Sequence, residues 1–248
     1  MTFIVGNKHM NLPKLIAITC LTLLALSGNG LSAIAAETQP ANKTFGDWCR
    51  KKADLSPEAR HTVEVMLKEA GTTECDAANR KLSGLTELTL DHNKISDIKP
   101  LESLTNLIEL GLNNNEISDI KPLESLTNLI ALSFGNNKIS DIKPLRSLTK
   151  LSSLALSNNK ISDITPLKSL TNLTQLFLDN NQITDITPLQ SLTKLSVLFA
   201  NNNKISNTKP LQSLTKMTNI FLGDNPIAPK TCPVKPESIC NWERIFEF

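Results

Sequence analysis

A phrase of 22 residues returns along this chain without slipping by a single position. The first copy is LTELTLDHNKISDIKPLESLTN, residues 85–106, and copies begin again at Leu107, Leu129, Leu151, Leu173, Leu195 and Met217. A fixed period of this length makes each copy one coil of a solenoid rather than part of an ordinary globule. Seven positions of the first copy are apolar: Leu85, Leu88, Leu90, Ile95, Ile98, Leu101 and Leu104. They cannot enclose a core within a single coil. Stability therefore comes from stacking, and the two ends need caps.

Each position of the phrase has a mechanical reading. Leu88 and Leu90 alternate with Glu87, Thr89 and Asp91, which predicts a short strand with leucines inward and the other residues outward. One asparagine recurs in every copy, as Asn93, Asn115, Asn137, Asn159, Asn181, Asn203 and Asn225. An amide both donates and accepts, so stacked copies can form a structural ladder that satisfies backbone groups freed where the chain turns out of the strand. Ile95, Ile98, Leu101 and Leu104 point inward from the return path. Pro100 and its equivalents bar a long helix there, so turns or 3₁₀ pieces are expected on the back. The Asp97 column is expected to hydrogen-bond the turn that follows it. Lys99, Lys121 and Lys143, near Glu102 and Glu124, read as a solvated, charge-balanced face. Repeat six places Asn207-Thr208 where the preceding repeats have Asp-Ile, so one inward isoleucine becomes threonine.

The flanks carry the remaining information. Residues 1–36 read as a secretory signal peptide: Lys8 and Lys14, then the apolar run Leu15–Leu26, then an A-x-A site at Ala33-Ile34-Ala35. Residues 37–44 read as a disordered leader. Residues 45–84 form an N-terminal cap, in which Ser56 can cap a helix, Pro57 starts it, Val63, Met66, Leu67 and Ala70 share a face, and Gly71 ends it. The repeats run over 85–228, and residues 229–248 close the array. Removing residues 1–36 leaves 24 Lys+Arg against 24 Asp+Glu. That neutrality argues against nucleic acid or an anionic membrane as partner. Cys20 leaves with the signal. The other four cysteines form local couples, Cys49–Cys75 and Cys232–Cys240, because a solenoid holds its ends too far apart for any other pairing.

L-x-x-L-x-L-x-x-N is the pattern of leucine-rich repeats. The fuller phrase N-x-I-S-D-I-x-P-L-x-x-L-T-N, carried by Asn93, Ile95, Ser96, Asp97, Ile98, Pro100, Leu101, Leu104, Thr105 and Asn106, resembles the internalin-type repeats of exported bacterial proteins. The resemblance covers residues 85 to about 228. It implies an α/β solenoid, a horseshoe with a parallel sheet on its concave side, turns or 3₁₀ pieces on the convex side, and a role in protein recognition. The cysteine-bearing flanks depart from the adhesin plan, as does the lack of an L-P-x-T-G motif.

On such a fold the outward strand positions form columns on the concave face. One column reads Thr89, Gly111, Ser133, Ala155, Phe177, Phe199, Phe221. Three phenylalanines in adjacent strands predict a row of exposed rings, and a contiguous aromatic patch marks an interaction site. Val197, Gln175, Asp179, Asn201, Asn219 and Glu109 are expected beside it. None of the three outward columns holds Lys or Arg, so a basic or mixed polar–apolar partner is expected. Another protein is the expected partner; the alternative is a carbohydrate-binding or structural cell-surface protein. No nucleophile, phosphate-cradling loop or cysteine–histidine cluster accompanies His61 or His92, so neither an enzyme, a cofactor nor a metal site is expected. After signal cleavage the protein is expected in the periplasm or outside the cell, with no segment inserted in a membrane.

Overall fold

The computed structural model describes residues 43–243. The expected signal peptide, most of the expected leader and the last five residues of the closing segment lie outside that range. The N-terminal cap contains three helices: α1 (Phe45–Arg50), α2 (Pro57–Ala70) and α3 (Cys75–Ser83). The local chemistry of α2 is that read from its sequence. Ser56 Oγ accepts from the Ala59 amide, Pro57 occupies the first turn, and Gly71 closes the helix at φ 66°. The other two helices were not foreseen. Thr44 and Asp47 form a capping box that starts α1, and the Cys49–Cys75 disulfide ties α1 to α3. Phe45 and Trp48 are buried in this cap, with Lys43 Nζ 4.9 Å from the centre of the Trp48 ring.

Helix α2 joins the cap to the first coil through main-chain atoms. Thr62, fully buried, donates from Oγ1 to the Asp97 carbonyl at 2.7 Å, and His61 Nε2 lies 2.6 Å from the Asn93 carbonyl. Two carbonyls at the open end of the array thus find partners in the helix.

Each coil contributes one strand of three residues: β1 (Glu87–Thr89), β2 (Glu109–Gly111), β3 (Ala131–Ser133), β4 (Ser153–Ala155), β5 (Gln175–Phe177), β6 (Val197–Phe199) and β7 (Asn219–Phe221). The strands are parallel, in sequence order, and paired in steps of one full period, as in Leu88 to Leu110 and Leu154 to Leu176. The back of each of the first six coils is a 3₁₀ turn beginning one residue before the proline, from Lys99–Leu101 to Lys209–Ser213. Strands pack about 4.8 Å apart, and the bulkier turns behind them need more room. The sheet therefore lines the inside of the curve. The leucines and isoleucines of the phrase fill the space between, essentially without exposure from Leu88 to Leu222. Thr208 is the exception: it is half-buried where its counterparts, such as Ile186, are fully enclosed.

The asparagine ladder operates as a relay between coils. The Asn181 amide nitrogen donates to the carbonyls of Leu156, Leu178 and Asp179, and its oxygen accepts from the Ile161 amide at 3.0 Å. Asn137 repeats the set one period at a time: it donates to Leu112, Phe134 and Gly135 and accepts from the Ile117 amide at 3.0 Å. The same acceptance, at 2.9–3.0 Å, joins each asparagine from Asn115 to Asn225 to the isoleucine amide of the coil before it.

The rungs differ in shelter, which the sequence reading did not anticipate. Asn115, Asn181 and Asn203 are buried, whereas Asn137, Asn159 and Asn225 are half-buried. Two residues earlier the buried rungs have Asn113, Asp179 and Asn201, and the half-buried ones Gly135, Ser157 and Gly223. A glycine or serine there leaves less side chain to screen the amide from solvent. Asn93, in the first coil, is half-buried as well. On the back, Asp97, Asp119, Asp141, Asp163 and Asp185 each accept from the amide two residues on, and Asn207 does the same for Lys209 at 3.0 Å.

The C-terminal cap adds a strand that the sequence did not advertise. β8 (Cys240–Asn241) pairs in parallel with β7, and the Leu222 amide donates to the Asn241 carbonyl at 3.0 Å. The Cys232–Cys240 disulfide holds this strand at the end of the sheet.

Candidate functional site

The concave face presents two columns of strand side chains. In one, Phe177, Phe199 and Phe221 occupy matching positions of β5, β6 and β7. Their rings stack at centroid distances of 5.1 and 4.2 Å, with 21° between planes. Each ring is half-buried: a neighbouring ring covers part of it and solvent meets the rest. In the adjacent column Val197 is half-buried between Gln175 and Asn219, which are exposed. Glu109 is exposed on β2 at the other end of the sheet.

Towards the N-terminal cap the face becomes shallow and polar. Gly111, Ala131, Ser133, Ser153 and Ala155 floor a concavity of about 230 Å³ bordered by Glu87, Asp91 and Glu109. Gly111 keeps this floor low, since a Cβ there would stand 3.2 Å from the Asp91 carboxylate. The face is thus divided along its length, with carboxylates and small residues at one end and stacked rings at the other.

Two of the expected contact residues are elsewhere. Asp179 and Asn201 are each only 8% exposed. The Asn201 amide and side-chain nitrogen both donate to Asp179 Oδ1 at 2.8 Å, and Asn201 Oδ1 accepts from the Gly223 amide at 2.8 Å. Asp91 and Asn113 make the equivalent links, to the Asn113 and Gly135 amides. This column is a second inter-coil ladder, not a contact surface. The reason is local: β5 ends at Phe177, so the in–out alternation of a strand no longer governs residue 179.

A third column was also missed. His92, Asn114, Asn136, Asn158, Asn180, Asn202 and Asp224 all have positive φ, between 51° and 59°. Asparagine and aspartate enter that region at less cost than other side chains, and the doubled asparagines of the sequence, such as Asn136-Asn137, are its signature. Asn202 Nδ2 donates to Asn180 Oδ1 at 2.7 Å, and Asn114 Nδ2 lies 3.2 Å from His92 Nε2.

Several carboxylates on the back and flanks of the coils are perturbed by their neighbours. Hydroxyl hydrogen bonds from Thr165 and Thr187, helped by the same residues' amides, hold the Asp163 and Asp185 carboxyls below the ordinary range. The Lys138 ammonium, 2.6 Å away, does the same for Glu116. Among the described residues no group of three or more His, Cys, Asp or Glu side chains is placed to hold a metal ion. Nor is any helix among them long and apolar enough to cross a membrane.

The repeats match the family model for leucine-rich repeats in pairs, at residues 83–125, 105–147, 127–169 and 149–191. Among solved structures, the chain is similar to an internalin (inlF) of Listeria monocytogenes: 33% identity, covering 73% of this chain and 54% of that one, with a TM-score of 0.67. It is similar to internalin C2 (inlC2) of the same organism: 32% identity, 71% and 88% coverage, TM-score 0.56. A leucine-rich-repeat protein of Leptospira interrogans is 27% identical, with 62% and 46% coverage and a TM-score of 0.55. The chain therefore spans about half the length of the first of these proteins. No curated protein matches it in sequence.

Proposed function

The chain belongs to the internalin-type leucine-rich-repeat proteins, which are protein-interaction modules, and from that premise we propose that it is exported and binds another protein through its concave face. The observation that carries this reading is the stacked row of Phe177, Phe199 and Phe221 on the concave side of the sheet. Aromatic residues, phenylalanine among them, are enriched at the cores of protein interfaces. Here strand register and ring–ring contact fix the rings in advance, so little side-chain entropy is lost on binding. The absence of Lys and Arg from the outward strand columns favours a partner that brings cationic and apolar groups together. The two disulfides fit an oxidising compartment, as does the signal read in residues 1–36. The role is one of binding rather than catalysis.

The test is affinity capture with residues 37–248, beside the F177S/F199S/F221S triple variant, once circular dichroism shows both folded. A protein held by the first and lost by the second supports the reading. If both hold the same set, the Phe row is structural and the concave-face assignment fails. If neither holds a protein, a glycan array comparing the same two samples asks whether the rings stack on sugars instead. Mass determination of the exported form, expected to begin at Glu37, tests the signal.

A further inference from the structure

The near-zero net charge conceals a segregation along the solenoid. Repeats one and two, residues 85–128, hold three Lys and Arg against eight Asp and Glu. Repeats three to six, residues 129–216, hold ten against four. None of the ten lies in the outward strand columns. They occupy the convex back and both flanks of the coils. Arg146 and Lys168 stand in one column on the back, Lys160 and Lys204 on the flank that leaves the strand, and Lys194 and Lys216 on the flank that returns to it; all six are exposed.

The four acids of this half do little to neutralise them. Asp141, Asp163 and Asp185 spend a carboxylate oxygen on backbone amides of their own turns. Asp179 is buried against Asn201. Only Lys138 and Lys143 of the ten stand within 4.0 Å of a described carboxylate, at Glu116 and Asp141. Lys150 and Lys194 turn instead to the neutral amide oxygens of Asn128 and Asn172. Eight cations therefore project from four consecutive coils with no counter-ion at that range among the described residues.

We propose that the back and flanks of repeats three to six bind a linear anionic polysaccharide, leaving the concave face free. The cations recur from coil to coil and surround three sides of the stack, so a flexible chain can follow them, whereas a flat membrane would meet one side alone. Such a contact would tether the protein to an anionic cell surface while its concave side engages a partner.

Heparin serves as the probe. Residues 37–248 should bind it with an affinity that falls steeply with salt; engagement of five cations implies a loss on the order of 100-fold between 50 and 200 mM. The exposed substitutions R146E and K168E together should weaken binding at least ten-fold and flatten the salt dependence. The F177S/F199S/F221S variant should bind heparin normally, which separates this proposal from the concave-face reading. Three results would overturn it: no binding to heparin at 20 mM salt, equal binding by the R146E/K168E variant, or tighter binding to a DNA duplex or to anionic lipid vesicles at matched salt.

Discussion

Replacing Asn181 by alanine isolates the contribution of one rung of the asparagine ladder. Asn181 is buried, and its side chain meets three carbonyls and one amide. The carbonyls have second partners: Leu156 O keeps Asn159, Leu178 O keeps Asn203, and Asp179 O keeps the Asn158 amide. The Ile161 amide, however, loses the acceptor that Asn181 supplies, deep between two coils. An orphaned buried donor costs about 1–3 kcal/mol, and the lost donor bonds add roughly 1 kcal/mol more. Asn181→Ala should therefore destabilise the protein by about 2–4 kcal/mol. Asn93→Ala is the matched control. Asn93 donates to the Asp91 carbonyl at 2.9 Å but has no preceding coil to serve, so its loss should cost less than about 1.5 kcal/mol. Asn137→Ala should fall between the two, because the same bonds are lost from a half-buried site that water can partly reach. Urea unfolding followed by far-ultraviolet circular dichroism, with disulfides intact, reads all three. The Asn181 variant should unfold at a midpoint about 1 M lower than the parent. Equal shifts for the Asn181 and Asn93 variants, or a cost below about 0.5 kcal/mol at Asn181, would refute the relay as the source of inter-coil stability.

Removing the Cys49–Cys75 bridge, which closes a separation of 26 residues, should cost up to about 3.5 kcal/mol in the chain-entropy model, against about 2.5 for Cys232–Cys240; thermal unfolding of the two paired-serine variants gives the order. Thr208→Ile restores the enclosed side chain of the other coils and should raise stability by about 1 kcal/mol, read as a higher urea midpoint. Asp163 and Asp185 have folded pKa values below the ordinary 3.8. Their contribution is complete above that value and is lost as pH falls through the lowered one. The D163N/D185N variant should therefore lose less stability than the parent between pH 5 and 2.5, a difference that parallel urea titrations would reveal.

The repeat made most of this fold legible before any coordinates. A period that never slips aligns like positions, so the leucine core, the first asparagine ladder and the aspartate turns could each be read as a column. The helix α2 was readable from Ser56, Pro57 and Gly71 because capping chemistry is local. What escaped the sequence depends on context. Helices α1 and α3 are short, and a disulfide that their spacing does not mark as helical joins them. The strand β8 is two residues long and forms only because β7 offers it an unpaired edge. Asp179 and Asn201 belong to a column that mixes Asp, Asn, Gly and Ser. That mixture reads as solvent-facing, yet two residues past the strand the chain has already begun to turn. The same column sets how well Asn137 and its counterparts are sheltered, a coupling between neighbouring columns that reading each one alone does not disclose.

The joint between the N-terminal cap and the array has a further implication. Thr62 and His61 address the carbonyls of Asp97 and Asn93, atoms that every coil carries at the same place regardless of side chain. The Asn106 side chain also donates to the Ser83 carbonyl of α3 at 2.8 Å, so a coil that carries asparagine at that place suits the cap. An in-frame excision of residues 129–150, one whole period, should leave a shorter protein that still folds and still accepts its lid. It would also bring the aromatic strands one step nearer the cap without redesigning either. Lineages carrying this architecture can lengthen or shorten it by recombination in units of a coil, moving a binding patch along the sheet as a bead moves along a wire.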